Sequence, residues 1–521
     1  MVRIRIDNTA VEVDAGESIL SAARQLGIDI PAMCCLEGQP ANNSCMCCLV
    51  RVDNAAGVVP ACATPVREGM QVESESDAIR ELRRTGIELL LADHAGDCHA
   101  PCENTCPAHM DVPNMLRHVA KGDYRAALET VKRDIALPAI LDRVCPEVCE
   151  AACRRGQHDS PAAICKIKQF VADHDLASQS PFRPPRAPAT GKRVAIVGGG
   201  STGLTATYHL SQQGHHCILI EQNAQLGGRL SEEFSPAELP RDVLQNEAET
   251  ALALGVDKRL GQQLGGQLSL DELTREFDAV LLATGRDALA GLDDAGVRTT
   301  TSGIRVDAQS RMTSRQGVFA AGNAVRPYKL IVQSVAEGKL VAQCIDAWLC
   351  GRTIPDRRHK FETRLAKLTA GELCDFCEGS PNTLRIDDQL RSADLSDQQA
   401  RDEANRCLDC DCSALDTCGL HHYAAMYQCD AHRFRGSERH FEGRIEGDNV
   451  VLEPGKCILC GICVQLSCAA DDAVGLAMLG RSIESRIGPP PGVRLDQALG
   501  SASRACADAC PTGAITLRRQ D

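Results

Sequence analysis

The chain opens on a strict alternation. Val2, Ile4 and Ile6 are separated by Arg3 and Arg5; a polar turn of Asp7, Asn8 and Thr9 follows; Val11 and Val13 then resume. A period of two around a turn predicts a β-hairpin. Ile19, Ala22, Ala23 and Leu26 recur at helical spacing, and Gly27 is placed to end that helix. Asp111 with Pro113 opens a short helix, and Asp123 opens another from Tyr124 to Val131. Pro181, Pro184, Pro185 and Pro188 mark residues 178–190 as a linker. Beyond it, the apolar runs Val194 to Val197, Ile218 to Ile220 and Ala279 to Leu282 predict strands, and a helix is expected from Gln333 to Val341.

A chain of 521 residues holds several compact units. Its 44% hydrophobic and 24% charged residues describe an ordinary globular protein. Nine Phe, five Tyr and one Trp are few core anchors, a shortage that small modules tolerate when bound cofactors supply folding free energy. The net charge of −14 argues against a nucleic-acid partner, and without a run of about twenty apolar residues direct membrane insertion is not expected. Because the chain starts as a strand and not as an export signal, a cytoplasmic location is expected. There, 29 cysteines bunched at two- and three-residue spacings read as metal or cluster ligands and not as disulfides.

The first bunch is Cys34-x10-Cys45-x2-Cys48-x13-Cys62, four thiolates able to hold one [2Fe–2S] cluster in a folded loop. Cys35 and Cys47 are neighbours that compete for the role, and zinc is the competing metal. With Pro60-Ala61-Cys62-Ala63-Thr64-Pro65, this module resembles the N-terminal [2Fe–2S] domain of the large iron–sulfur subunit of respiratory NADH dehydrogenase and of related formate dehydrogenases and hydrogenases. A small β-grasp ferredoxin is expected.

The second is His94-x3-Cys98-x3-Cys102-x3-Cys106-Pro107, then Cys145-Pro146-x2-Cys149-x3-Cys153 after the two short helices. Ligands from two loops meeting across helices give one or two [4Fe–4S] clusters. The arrangement resembles the N-terminal domain of the glutamate synthase small subunit and of dihydropyrimidine dehydrogenase, which carry two clusters. It departs from that family twice. The first loop has three cysteines in place of four, and the family's last ligand, a Gln or Glu, falls near Lys168, whose ammonium has no lone pair for a metal. His94, which echoes a His–Cys loop of NADH dehydrogenase, is a candidate for a missing ligand, with a surface histidine as the alternative. Cys165 is expected as a packed core thiol.

Val194-Ala195-Ile196-Val197-Gly198-Gly199-Gly200-Ser201-Thr202-Gly203 reads as strand, glycine turn and helix start. Gly198 permits the turn, Gly200 lets backbone approach a pyrophosphate, and Gly203 allows close helix packing. Glu221, ending the next strand, is placed to accept from ribose hydroxyls. Gly227-Gly228, the strand ending at Thr284-Gly285, and Thr313 before Gly317-Val318-Phe319-Ala320-Ala321-Gly322-Asn323 follow in order. Together these resemble the FAD-domain signatures of the glutamate synthase small-subunit family and imply bound FAD. Asn323 stands where that family has an Asp on the ribityl chain. The family's inserted NADPH domain has no counterpart here, because neither 230–277 nor 286–316 carries a second glycine fingerprint or approaches a domain in length. Cys217, Cys344 and Cys350 are expected as core thiols.

Cys374-x2-Cys377 precedes Cys407-x2-Cys410-x1-Cys412-x5-Cys418. The latter four are read as one [4Fe–4S] set, with structural zinc as the alternative and with Cys374, Cys377 or Cys429 as possible replacements. Cys457-x2-Cys460-x2-Cys463 with Cys510-Pro511 is the bacterial ferredoxin pattern for one [4Fe–4S] cluster, leaving Cys468 and Cys506 over.

The expected fold is therefore multidomain, α/β and α+β. A [2Fe–2S] ferredoxin-like domain occupies 1–80 and a helical iron–sulfur domain 81–177. A Rossmann-type FAD domain covers 191–352, a cysteine-rich connector 353–445 and a [4Fe–4S] ferredoxin-like domain 446–521. The cofactors are FAD, one [2Fe–2S] and two to four [4Fe–4S] clusters. The expected role is an electron-transfer subunit of an oxidoreductase complex without its own NAD(P)H site. Its partner would be an NADH dehydrogenase-like flavin module, a formate dehydrogenase, a hydrogenase or an aldehyde oxidoreductase. The alternatives are a self-contained flavin-dependent oxidoreductase and a docking scaffold with a vestigial FAD site.

Overall fold

The opening alternation forms the expected hairpin in the computed structural model of the chain. Strand Val2–Ile6 pairs antiparallel with Thr9–Val13 and parallel with Gln71–Glu73, and the sheet continues through Leu49–Val52 to Val59–Pro60. Ile4, Ile6 and Val13 face inward onto Ile19, Leu20, Ala22 and Ala23 of helix Ile19–Gln25. Ser18 caps that helix by accepting from the Ser21 amide at 3.1 Å, and Gly27 follows it at φ +71°, a left-handed conformation that favours glycine.

The described residues are 1–53, 56–286, 291–354, 361–378, 380–386, 395–434, 436 and 443–518; parts of the expected connector, 355–360, 387–394 and 437–442 among them, lie outside these. The chain divides into two units. Residues 1–99, 358–378 and 411–521 make one, and residues 100–357 and 379–410 the other.

In the first unit, the β-grasp sheet is joined by helix Asp77–Ala92, whose Arg83 is fully buried. Its guanidinium donates to the Leu49 carbonyl at 3.0 Å and to the Tyr427 hydroxyl at 3.1 Å. A second small sheet of Ile445–Glu446, Val450–Leu452 and Ile515–Leu517 carries helices Ile462–Cys468 and Ser503–Ala509.

The second unit begins with short helices. Asp111 and Asp123 each cap one, accepting from the amides of Asn114 and Ala126. Then comes a five-stranded parallel sheet in the order Val318–Ala320, Ala279–Leu282, Arg193–Val197, His216–Glu221, Asp257–Leu260. All four residues of Ala279–Leu282 are buried, as a central parallel strand requires. Helices Ser201–Gln212 and Ile331–Leu349 pack against each other beside this sheet. Among the described residues between Leu282 and Val318 there is one two-stranded hairpin, Thr299–Thr300 with Gly303–Ile304, and no second parallel sheet.

Glu247 ties the helical part of this unit to the sheet part. From helix Arg241–Ala251 its carboxylate accepts from the amides of Ala139 and Ile140, at 2.9 and 2.6 Å. Those are two otherwise orphaned donors in the first turn of helix Pro138–Val144. Burial pushes Glu247 up from 4.5 to about 7, against the pull of Lys132 and of the two amides. A folded-state value above the unfolded one means that Glu247 contributes stability below pH 4.5 and loses it as pH rises through 7. Glu247 should therefore lower the unfolding free energy of the wild type by on the order of 3 kcal/mol as pH rises from 4.5 through 7. In Glu247→Gln that slope should flatten, as read by circular dichroism.

Candidate functional site

The glycine turn lies at the carboxyl end of strand Arg193–Val197 and leads into helix Ser201–Gln212. Gly198 has φ +114°, and a Cβ there would stand 2.3 Å from the Ala283 carbonyl oxygen; a Cβ at Gly203 would stand 1.8 Å from that of Gly198. Neither position admits a side chain. At Gly200 a Cβ would meet no atom within 4 Å, so this residue faces open space. That space is a cavity of about 430 Å³, lined by Gly198, Gly200, Glu221, Gly228, Thr284, Gly285 and Asn323 among others. Gly322 is buried beside it, where a Cβ would stand 2.3 Å from the Thr202 hydroxyl.

Two polar atoms here lack partners. Thr284 Oγ1 and Gln262 Oε1 are buried without a hydrogen bond, and both residues line a smaller recess that shares Gly198 and Glu221 with the main cavity. Buried orphans at a helix N-terminus, beside a cradle with no Cβ, fit a bound dinucleotide. Glu221 does more than await a ribose. Its carboxylate accepts from the amides of Gly199 at 2.7 Å and Asn223 at 2.9 Å, so it also braces the turn, each oxygen keeping a second lone pair. Asn323 Oδ1 accepts from the Tyr328 amide at 3.0 Å, which leaves its NH2 as a donor where a carboxylate would only accept.

The cysteines fall into groups that differ in part from those expected. Cys34, Cys45, Cys48 and Cys62 do come together in the first unit. The thiols of Cys45 and Cys62 neighbour that of Cys34, the Cys45 amide donates to the Cys34 sulfur at 3.5 Å, and Cys62 also neighbours Cys48. Cys457, Cys460, Cys463 and Cys510 line one small, wholly apolar cavity in the same unit. The amides of Leu459 and Ile515 point at the sulfurs of Cys457 and Cys510, both at 3.4 Å.

The expected set Cys407, Cys410, Cys412, Cys418 is divided. The chain passes from one unit to the other between Cys410 and Asp411. In the second unit, burial and then Cys407, Cys410 and Cys153 push the Cys102 thiol well up. Two buried arginines beside these cysteines hold the segments together. Arg155 donates to the Arg406 carbonyl at 2.9 Å, and Arg406 donates to the Ser160 carbonyl at 2.7 Å. In the first unit, Cys412 donates its amide to the Cys98 carbonyl at 3.1 Å, while Thr363 contacts the Cys98 sulfur through its hydroxyl at 3.2 Å and its amide at 3.4 Å. Cys418 is pushed up to about 12 by burial, with Cys412 and Cys98 adding to it. Cys98 and Cys102 thus belong to different units, and so do Cys410 and Cys412.

Cys165 is buried, as expected of a core thiol, and the thiols of Cys145 and Cys149 lie beside it. Cys106 is buried in the same hydrophobic core. Lys168, at the family's ligand position, pairs with Asp142 at 2.6 Å. Burial works against its charge, but Asp142 and the thiols of Cys165, Cys149 and Cys145 outweigh that and hold its pKa well above the ordinary value. His94 is buried at the Nδ1 end without a hydrogen bond there; burial and Lys456 bring it down to about 4. Lys456 and Glu453 lie near it. Cys350 is exposed, with Sγ 3.6 Å from Asp346, so of the three expected core thiols Cys217 and Cys344 alone are buried.

One local device recurs. Met46, Glu147, Asp409 and Leu459 all have φ between +45° and +55° although none is glycine. Each lies between two cysteines of a short loop, and the left-handed residue curls the chain so that both thiols return toward one point. This turn is invisible to cysteine spacing, yet the sequence that encodes it is the Cys-x-x-Cys or Cys-x3-Cys loop itself.

Two tests follow from this geometry. Gly200→Ala, at φ −83°, strains no backbone, and its Cβ meets no atom within 4 Å. It should leave the circular dichroism unchanged and weaken FAD binding roughly tenfold or more, measured by flavin fluorescence titration. Cys153→Ser and Cys407→Ser should remove the same spectroscopic iron signal, and the double variant no more than either single. Cys412→Ser should remove a different one.

Three family models match parts of the chain. Residues 1–77 match the 2Fe-2S iron-sulfur cluster binding domain, 88–180 match dihydropyrimidine dehydrogenase domain II with its 4Fe-4S cluster, and 160–338 match pyridine nucleotide-disulphide oxidoreductase. The NADP(+)-dependent formate dehydrogenase subunit beta of Moorella thermoacetica is 36% identical over 218 residues, 38% of this chain and 31% of that protein. The NADPH-Fe(3+) oxidoreductase subunit beta of Geobacter sulfurreducens is 34% identical over 189 residues, 36% of this chain and 28% of that one. The NAD-dependent dihydropyrimidine dehydrogenase subunit PreT of Salmonella typhimurium is 33% identical over 198 residues, 37% and 48% respectively. The chain thus spans about a third of the first two and half of the third. Among the described residues no helix is long and apolar enough to cross a membrane. The chain thus carries regions similar to 2Fe-2S, 4Fe-4S and pyridine nucleotide-disulphide oxidoreductase domains.

Proposed function

We propose that the chain is an electron-transfer subunit of an oxidoreductase complex, and that a partner subunit carries the substrate site. The observation that carries this reading is the convergence of separate thiol groups, each drawn from short loops, on a chain that also holds a dinucleotide cradle. FAD exchanges one or two electrons and iron–sulfur clusters one at a time, so the pair suits relay between two-electron and one-electron chemistry.

The residues divide the work as follows. Gly200, Gly228 and Gly285 leave room for the dinucleotide, and Gly198, Gly203 and Gly322 permit the close packing that shapes its cradle; Glu221, Thr284 and Asn323 offer the polar contacts. Cys34, Cys45, Cys48 and Cys62 suit [2Fe–2S]. Cys457, Cys460, Cys463 and Cys510 suit [4Fe–4S], as does the group of Cys102, Cys153, Cys407 and Cys410. Cys98, Cys412 and Cys418 supply three thiols to a further site. The protein's part in each case is to bury the sulfurs and aim backbone amides at them, as Leu459 and Ile515 do, which favours the added electron. The partners fitting this reading are a formate dehydrogenase, a hydrogenase, an aldehyde oxidoreductase or an NADH dehydrogenase-like flavin module, with the cytoplasm as location. The sequence has one glycine fingerprint of the dinucleotide type, which favours a partner and not NAD(P)H as the chain's direct electron donor.

The protein purified without oxygen should contain one FAD and roughly ten or more irons per chain. Graded reduction should give separate [2Fe–2S] and [4Fe–4S] signals by electron paramagnetic resonance, and NADPH alone should not bleach the flavin. Zinc in place of iron, or absence of flavin, would end the electron-transfer reading. Rapid bleaching by NADPH would instead make the isolated chain a dehydrogenase.

A further inference from the structure

Cys165 lies in the first turn of helix Ile164–Leu176, with its amide fixed by Glu150 Oε1 at 2.8 Å. The side chain is 2% exposed. Its sulfur neighbours those of Cys145, at the end of helix Pro138–Val144, and Cys149, in helix Val148–Ala151, and both helices pack against its own. Three thiols from three helices therefore share one buried point. The nearby carboxylates are a carboxylate–thiol grouping of Glu147, Glu150 and Cys165. Glu150 is already committed on both oxygens, to the Cys165 amide and to Arg385 at 2.8 Å, and Glu147 is exposed.

Lys168 is one helical turn further along the same face, since residues i and i+3 are neighbours on a helix. Its ammonium, 2.6 Å from Asp142, has no lone pair to give a metal. A ligand moved from position 168 to 165 would approach the same site from the same face. An ordinary core thiol replaces a small apolar side chain and calls for no polar company. Here it sits among two more thiols and beside a buried Lys–Asp pair, an arrangement that is costly in an apolar core unless charge is to be housed there.

We propose that Cys165 is an iron ligand, joining Cys145, Cys149 and Cys106 in an all-thiolate [4Fe–4S] site with Lys168 as a charged neighbour and not a ligand. The inference rests on the iron–sulfur reading above and adds a ligand to it. Cys106 enters from the end of helix Pro101–Thr105, which packs against helix Val148–Ala151.

The test compares the full-length wild type with Cys165→Ala and Cys165→Asp, and with Cys217→Ala as the loss of a buried thiol elsewhere. All are purified without oxygen and assayed for iron, FAD and paramagnetic resonance. Cys165→Ala should lose one to about four irons per chain and one [4Fe–4S] signal, with FAD retained. Cys165→Asp keeps a ligating oxygen, so it should retain most of the iron but shift that signal's g values and midpoint potential. Cys217→Ala should match the wild type. Wild-type iron and unaltered spectra in both Cys165 variants would overturn the assignment while leaving the iron–sulfur reading intact. A wild type that binds no iron would remove the reading itself. Should the alanine variant not fold, resonance Raman of Cys165→Asp decides: an iron–oxygen ligand band supports the assignment, and wild-type iron–sulfur bands alone overturn it.

Discussion

The constraint on which the molecule turns is the burial of sulfur in groups. A thiolate is the form that binds metal, yet burial disfavours it, and other thiolates nearby disfavour it further. Cys98, Cys102, Cys418, Cys460 and Cys463 are all pushed upward with burial as the leading cause. Such groups are poor fillings for a core, and they become favourable when a multivalent cation takes the protons' place. The scarcity of aromatic anchors is then understandable, because the loops converge on sulfur where another protein would converge on Phe or Trp. Stability and cofactor loading are in that sense one property.

What brings the sulfurs together is mostly not the cysteines. Left-handed residues bend the loops, and buried arginines fix loops to one another. Arg155 and Arg406, both almost without exposure, cross-tie the segment after Cys153 to the segment before Cys407. Asp409, the left-handed residue between Cys407 and Cys410, accepts from Arg117 at 2.9 Å, which holds the bend in place. A guanidinium satisfied by backbone carbonyls can be buried at tolerable cost and spans two chains with fixed geometry. Removing one would leave several carbonyls without partners and release a ligand-bearing loop.

This explains which parts could be read in the sequence. The hairpin, its helix, the aspartate-capped helices and the glycine turn all rest on local rules of period, cap and turn, and all appear where those rules put them. The four cysteines near each end of the first unit follow recognisable spacings, and the structure brings each set together. The middle sets were not legible in this way. Cys102 meets Cys407 across most of the chain, and spacing records which cysteines can share a centre but not which unit each falls in. Cys165 reads in the sequence as a core residue, because a lone cysteine on an apolar helix face has that pattern. Its partners are evident only once the helices are packed.

The flavin cradle and the sulfur sites also differ in how far the protein builds them beforehand. At the glycine turn the close approaches of Gly198 and Gly203 are backbone contacts, and Glu221 already holds the Gly199 amide. Nothing there waits for the ligand except two unpartnered oxygens. Such a site is complete in the folded chain and binds by filling. Each sulfur site, by contrast, gathers like groups that repel once deprotonated, so its final geometry depends on the metal. It follows that cluster insertion belongs with folding, and flavin binding after it. A chain starved of iron would lose order in its cysteine loops first, while the five-stranded sheet, whose strands bury apolar side chains against their own helices, would remain able to present the cradle.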